Sequence, residues 1–175
     1  MGKQCMCGNR RAFANCCEPY LQSVTAEGSS APTAEALMRS RYTAFVLGNI
    51  DYLMATHHAD YRPNNRTNLQ QTLRTTRWTN LIVLSTQKGQ RKDKSGTVEF
   101  VAAYRPKRSI ALSATRAPDS KNSDALAQLH ERSRFVREES RWFYTEGDRL
   151  PPYQPKKTQP CWCGSALKFK QCHGR

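Results

Sequence analysis

Apolar residues recur at helical spacing between Leu37 and Phe45. Leu37, Met38, Tyr42 and Phe45 fall on one face of a helix. Thr33 stands where its hydroxyl can cap the first turn, and Glu35 sits near the positive end of the helix dipole. Gly48 breaks the pattern. Asn49 is placed to cap a second, shorter helix through Ile50, Tyr52, Leu53 and Met54. A third short helix is predicted over Asn68–Arg74. Beyond it the composition changes to that of strands. WTNLIVLST (78–86) and GTVEFVAAY (96–104) are rich in β-branched and aromatic residues, with Val98, Phe100 and Ala102 on one face. The polar stretch KGQRKDKSG between them predicts a hairpin with a long loop. Residues 105–124 are polar, with scattered alanines and two prolines, and predict an irregular loop. His130–Glu139 and Ser140–Glu146 predict two more strands, with Gly147 and Asp148 ending the second. On that last strand Trp142 and Tyr144 share a face and Phe143 opposes them. Helices first and antiparallel strands afterwards make an α+β pattern.

The same pattern divides the chain. Residues 33–149 can bury a core. Residues 21–32 are small and polar and predict a linker. Residues 150–160, LPPYQPKKTQP, carry four prolines and predict a stiff, extended linker. That leaves an end unit at 1–20 and another at 161–175. Segments so short cannot bury a core of their own and need a staple.

Cysteine spacing supplies one. All seven cysteines lie in the two end units. Cys5 and Cys7 are separated by Met6, and eight residues later come Cys16 and Cys17. Cys161 and Cys163 are separated by Trp162, and eight residues later come Cys172 and His173. A glycine follows the second cysteine each time (Gly8, Gly164), and Phe13 and Phe169 match inside. Each unit thus offers four sulfur or imidazole ligands, the number that a structural zinc site takes. The reading is two structural zinc ions, held by Cys5, Cys7, Cys16 and Cys17 and by Cys161, Cys163, Cys172 and His173. With all four positions filled by protein, such sites stabilise the fold and perform no chemistry. Disulfides, unrelated buried cysteines or an iron–sulfur centre are the alternatives.

Charge alters the picture of partners. The formal net charge is +14. From Tyr61 to Lys92 there are seven basic residues (Arg62, Arg66, Arg74, Arg77, Lys88, Arg91, Lys92) and no acid. The last twenty residues carry Lys156, Lys157, Lys168, Lys170 and Arg175, again with no acid. Such faces suit RNA, a ribosome or an acidic protein, with Trp162 and Phe169 as candidates to stack on bases. They also suit plain solvent. No run of 18 apolar residues predicts a membrane span, and no hydrophobic leader is apparent. A cytoplasmic, reducing setting is expected, where paired cysteines favour metal.

Catalytic motifs are absent: no nucleophile elbow, phosphate loop or dinucleotide fingerprint occurs. His57 and His58 are adjacent at a helix end, which explains them as well as a pocket does. On one predicted strand His130 and Arg134 share a face and Glu131 points the other way. A buried ion pair accounts for Glu131 as well as an acid catalyst would.

The segment CWCGSALKFKQCHG resembles the SEC-C motif, a zinc-binding tail known on the preprotein translocase ATPase, where it contacts the export chaperone and ribosomes. That resemblance implies Cys161, Cys163, Cys172 and His173 as ligands, and Cys5, Cys7, Cys16 and Cys17 as a Cys-Cys version at the other end. With PTAEALMRSRYTAFVLGNIDYL and LHERSRFVREESRWFYTEGD, nearly the whole chain resembles the bacterial YchJ-type (UPF0225) family. Its middle domain is similar to the NTF2-like fold, a cone of helices packed on a curved antiparallel sheet, and such sheets often pair into dimers. The leading expectation is a non-enzymatic, zinc-containing binding or adaptor module for a protein or ribonucleoprotein. The alternative is a small-molecule-binding or catalytic pocket in the cone, recognised by a polar cavity holding His130 or Glu131.

Overall fold

The computed structural model describes residues 2–23, 30–61, 65–107 and 125–175. Most of the predicted 105–124 loop, the centre of the 21–32 linker and Arg62 lie outside them.

The helical half follows its caps. Thr33 Oγ1 accepts from the Ala36 amide at 3.1 Å and starts α2, Ala34–Leu47; α1, Glu18–Gln22, precedes it. Gly48 ends α2 with φ of 75°. Asn49 then accepts from the Tyr52 amide at 2.9 Å and starts α3, Ile50–Ala55. The third predicted helix is longer than its apolar signal, running as α4 over Asn65–Thr75.

Four strands follow: β1 Thr76–Lys88, β2 Ser95–Pro106, β3 Ala127–Glu138 and β4 Arg141–Arg149. They form one antiparallel sheet in the order β1-β2-β3-β4. Register shifts interrupt β1 at Trp78/Asn80 and Val83/Ser85, and β3 at Ser133/Phe135. Such bulges bend and twist the strands that carry them. The β3–β4 turn has Glu139 and Ser140 at φ of 47° and 68°, as a two-residue turn between twisted strands requires. Gly147 and Asp148 do not end β4; both are within it.

The alternation along β2 places one core on each face of the sheet. Val98, Phe100 and Ala102 face the helices and join Leu37, Tyr52, Phe135 and Trp142. Val101 and Ala103 face the back and join Cys161 and Trp162. Each fully buried aromatic or leucine here contributes roughly 1.5–3 kcal/mol by leaving water.

Candidate functional site

Both cysteine units fold alike, residue for residue. In the first, the Cys5 amide donates to Arg11 O and the Phe13 amide to Lys3 O, each at 2.8 Å. In the second, the Cys161 amide donates to Leu167 O and the Phe169 amide to Gln159 O, each at 2.8 Å. Gly8 and Gly164 have φ of 79° and 82°, and Arg10 and Ala166 have φ of 62° and 63°. A short 3-10 turn, Phe13–Asn15 or Phe169–Gln171, then delivers the last ligand pair. Its following residue, Cys16 or Cys172, has φ of −133° or −130° and ψ of −95° or −102°. That sharp change of direction aims two consecutive side chains at one point.

The ligand atoms converge in both. The four sulfurs of Cys5, Cys7, Cys16 and Cys17 lie within 4.8 Å of one another, as do the ligand atoms of Cys161, Cys163, Cys172 and His173. Cys7 and Cys16 sulfurs are 3.5 Å apart, Cys16 and Cys17 3.8 Å, and Cys163 and Cys172 3.6 Å. His173 turns Nδ1 inward, 3.3 Å from the Cys161 sulfur and 3.2 Å from the Cys172 sulfur. A tetrahedral ion with metal–sulfur bonds of about 2.3 Å would hold sulfurs about 3.8 Å apart. Disulfide sulfurs would be about 2.05 Å apart. Both clusters therefore fit a metal ion. The first is also electrostatically suited to a cation. Cys7 is brought down to about 5, chiefly by the hydrogen bond from Cys17, whereas burial pushes Cys16 up to about 12. The hydrogen bond to Cys7 pushes Cys17 up as well. Four thiols this close cannot all ionise unless a positive ion compensates them.

Neither unit swings free. Cys7 is fully buried in the helix-side core; its carbonyl accepts from Arg39 Nη1 at 2.8 Å, and the Cys5 sulfur is 4.0 Å from Thr43 Oγ1. The second unit lies on the sheet's back, where the Trp162 carbonyl accepts from Asn80 Nδ2 at 3.0 Å. The proline-rich stretch leading to it is pinned too. His130 Nδ1 is 2.7 Å from Pro151 O, and its Nε2 is 3.0 Å from Glu99 Oε1. The Tyr153 amide donates to Gln128 Oε1 at 3.0 Å. Trp162, expected as a stacking surface, is instead 6% exposed, wedged between the sheet and the His173 ring 4.4 Å away.

Between helices and sheet lies a cavity of about 410 Å³, a size usual for small-molecule sites. Strand alternation sends Glu131 into it while His130 faces the back, so only one of that predicted pair reaches the cavity. Glu131 accepts from Ser133 Oγ at 2.6 Å. Burial pushes its carboxyl above the ordinary range, against the pull of Ser133, Arg41 and Arg149. Among the described residues it makes no direct ion pair, and Arg41 and Arg149 act on it from the same cavity wall. Its room comes from Gly147 on β4: a methyl group there would collide with the Glu131 carboxyl. His57 lines the wall and donates from Nε2 to Thr145 O at 3.0 Å. His58 turns away, 3.1 Å from Glu138 Oε1.

Arg41 is the residue the sequence reading missed. It sits on the apolar stripe of α2, one turn from Leu37 and Phe45, and a lone charge on that stripe was the available signal. It is 7% exposed, and burial brings its guanidinium down to about 10.

Comparison with known proteins agrees with this architecture. Residues 33–147 match the YchJ middle NTF2-like domain, and residues 158–175 match the SEC-C motif. The expectation of a SEC-C unit at both ends is thus met at the C-terminal one; residues 1–20 lie outside the matched stretch. A UPF0225 protein of Photorhabdus laumondii is 38% identical over 179 residues, covering 99% of this chain and 100% of its own. A UPF0225 protein of Pectobacterium carotovorum is 36% identical over 176 residues, covering 100% of both. A SEC-C motif containing protein from Rhodopseudomonas palustris has a similar structure, with TM-score 0.65 and 29% identity over 85% of this chain and 99% of that one. Another, from Psychrobacter arcticus, gives TM-score 0.58 and 26% identity over 98% of this chain and 96% of that one. Its α+β core, its cysteine-rich C-terminal unit and its full-length relatives place the chain in the UPF0225 family, with a YchJ-type NTF2-like middle domain.

Proposed function

We propose that this protein is a zinc-stapled receptor for a small molecule held between the helices and the sheet. One observation carries the reading: the interior is an open cavity with a buried guanidinium, Arg41, and a carboxyl of raised pKa, Glu131, on its wall. A domain built only as a scaffold gains nothing from a charge buried beside empty space. The cysteine units hold one zinc ion each, and the first is a second, Cys-Cys form of the SEC-C unit; their matching backbones support this. Closed sites of this kind leave no position for substrate. Zinc thiolates suit the reducing cytoplasm.

Ligand-detected NMR on the zinc-loaded chain with a mixed collection of small organic compounds tests the receptor reading. Bound compounds that are lost in Leu129→Trp, which fills the cavity without touching either metal site, support it. No binders, or binders indifferent to that substitution, contradict it.

A second reading keeps the adaptor role. Residues 150–175 contain no acid, and Lys156, Lys157, Lys168 and Lys170 are exposed around Leu167, itself 49% exposed. With Trp162 buried, this surface favours an acidic protein over single-stranded RNA, which needs aromatic platforms. A pull-down with and without nuclease separates them: RNA-dependent capture argues for a ribonucleoprotein, and one protein retained under both conditions argues for an adaptor.

A further inference from the structure

Sheet order divides the cavity into two unlike halves. β1 and β2 supply Trp78, Phe100 and Ala102, and the helices add Tyr42 and Phe45 beside them. This half is aromatic and apolar. β3 and β4 supply the polar Glu131, Ser133, Tyr144 and Arg149 alongside Leu129 and Phe135, and α2 brings Arg41 against the same side.

Arg41 is a buried cation that feels the Glu131 charge only at a distance. Its carbon Cζ lies 4.7 Å from the centre of the Tyr144 ring. Its Nη1 donates to Leu53 O at 2.8 Å and to Thr56 Oγ1 at 2.7 Å. Among the described residues no carboxylate makes an ion pair with it. Buried cations are normally paired, because an uncompensated one loses its hydration for nothing. Glu131 shares the wall and attracts Arg41 without pairing directly with it, while its carboxyl accepts from Ser133. Arg149, exposed on β4, adds a second cation beside the same cavity. In the other half the indole Nε1 of Trp78 is buried with no hydrogen-bond partner among the described residues.

We propose that the cavity takes a small amphipathic organic monoanion: a carboxylate on a flat apolar body, its charge against Arg41 and its body against Trp78, Tyr42 and Phe100. The planar guanidinium fork matches a carboxylate, and its unspent edge supplies parallel donors. Aromatic walls accept a flat body by stacking and edge contacts. Glu131 on the same side disfavours a dianion such as a phosphate monoester, because its own carboxylate already draws on Arg41 and Arg149. This inference rests on the receptor reading above and adds the chemical class.

The test is titration calorimetry on the zinc-loaded full chain with three probes of one shape: phenylacetate, phenylacetamide and phenethylamine. Phenylacetate should bind at least tenfold more tightly than the amide, and the amine should not bind detectably. In Arg41→Gln the acid and amide should bind alike. In Trp78→Phe all affinities should fall with the preference for the acid kept. Equal affinity for acid and amide in the natural protein overturns the inference while leaving the receptor reading in place. So does a preference that survives in Arg41→Gln. If Arg41→Gln fails to fold, the ratio in the natural protein decides alone. Absence of binding by all three at millimolar concentration overturns the inference, while the mixed compound collection decides the receptor reading separately.

Discussion

Gly8 and Gly164 are the same residue of a repeated unit, and both press on edge strand β1. They meet neighbouring residues from opposite sides of the sheet. A methyl group on Gly8 would lie 2.5 Å from the Leu81 carbonyl oxygen, and one on Gly164 would lie 2.8 Å from the Asn80 side chain. The two cysteine units therefore grip one strand between them, at consecutive positions.

The two contacts differ in what can yield. Leu81 O is backbone, whereas the Asn80 side chain can turn, losing its bond to Trp162 O. Gly8→Ala should cost roughly 2–4 kcal/mol, combining left-handed strain with a clash. Gly164→Ala should cost roughly 1–2 kcal/mol, mostly strain. Urea unfolding of the zinc-loaded variants checks the order; equal losses would show that the grip on β1 is symmetrical after all.

Metal loss should also be unequal. Cys7 is part of the main core, and Cys163 is half-buried at the back. Cys163→Ser should release one zinc ion and leave the circular dichroism of the middle domain intact. Cys7→Ser should release the other and lower the melting temperature of the whole chain. Metal analysis alongside thermal unfolding reads both effects.

Glu131 gives a pH signature. Its folded pKa is raised by burial. The stability it contributes is therefore full below the ordinary glutamate range and lost as pH rises through the raised value. Glu131→Gln keeps the Ser133 contact and removes the charge. It should melt higher than the natural protein at pH 7.5, by under about 4 °C for a chain of this size. The gain should shrink toward pH 4. A gain independent of pH would mean that the charge is not its source.

His130 holds the proline-rich stretch against the sheet, touching Pro151 O and Glu99 through its two ring nitrogens. His130→Ala should speed hydrogen exchange at the Tyr153 amide, which is bonded to Gln128, and cost about 1–3 kcal/mol. Unchanged exchange would mean that Gln128 holds the stretch alone.

Much of this was legible in the residues. Thr33, Gly48 and Asn49 announce helix limits because capping is local chemistry that needs no tertiary partner. The cysteine repeat was legible because bringing four ligand atoms together imposes spacing on a short segment. Gly147 misled: a glycine in a strand reads as its end, but here it clears space for a side chain on the neighbouring strand, a long-range fact. Trp162 misled in the same way, since its burial depends on Val101 and Ala103 some sixty residues earlier. Arg41 looked like one basic residue among 28 Lys and Arg residues. Only the stripe around it showed that it faces inward.

The most direct test of the receptor reading is chemical-shift mapping on the zinc-loaded chain, titrated with the tightest small-molecule binder found by NMR. Shifts should centre on Arg41, Glu131, Ser133 and Tyr144, with the amides of residues 156–175 unmoved. Shifts confined to 156–175, with a silent interior, would contradict that reading and return the function to the basic C-terminal surface.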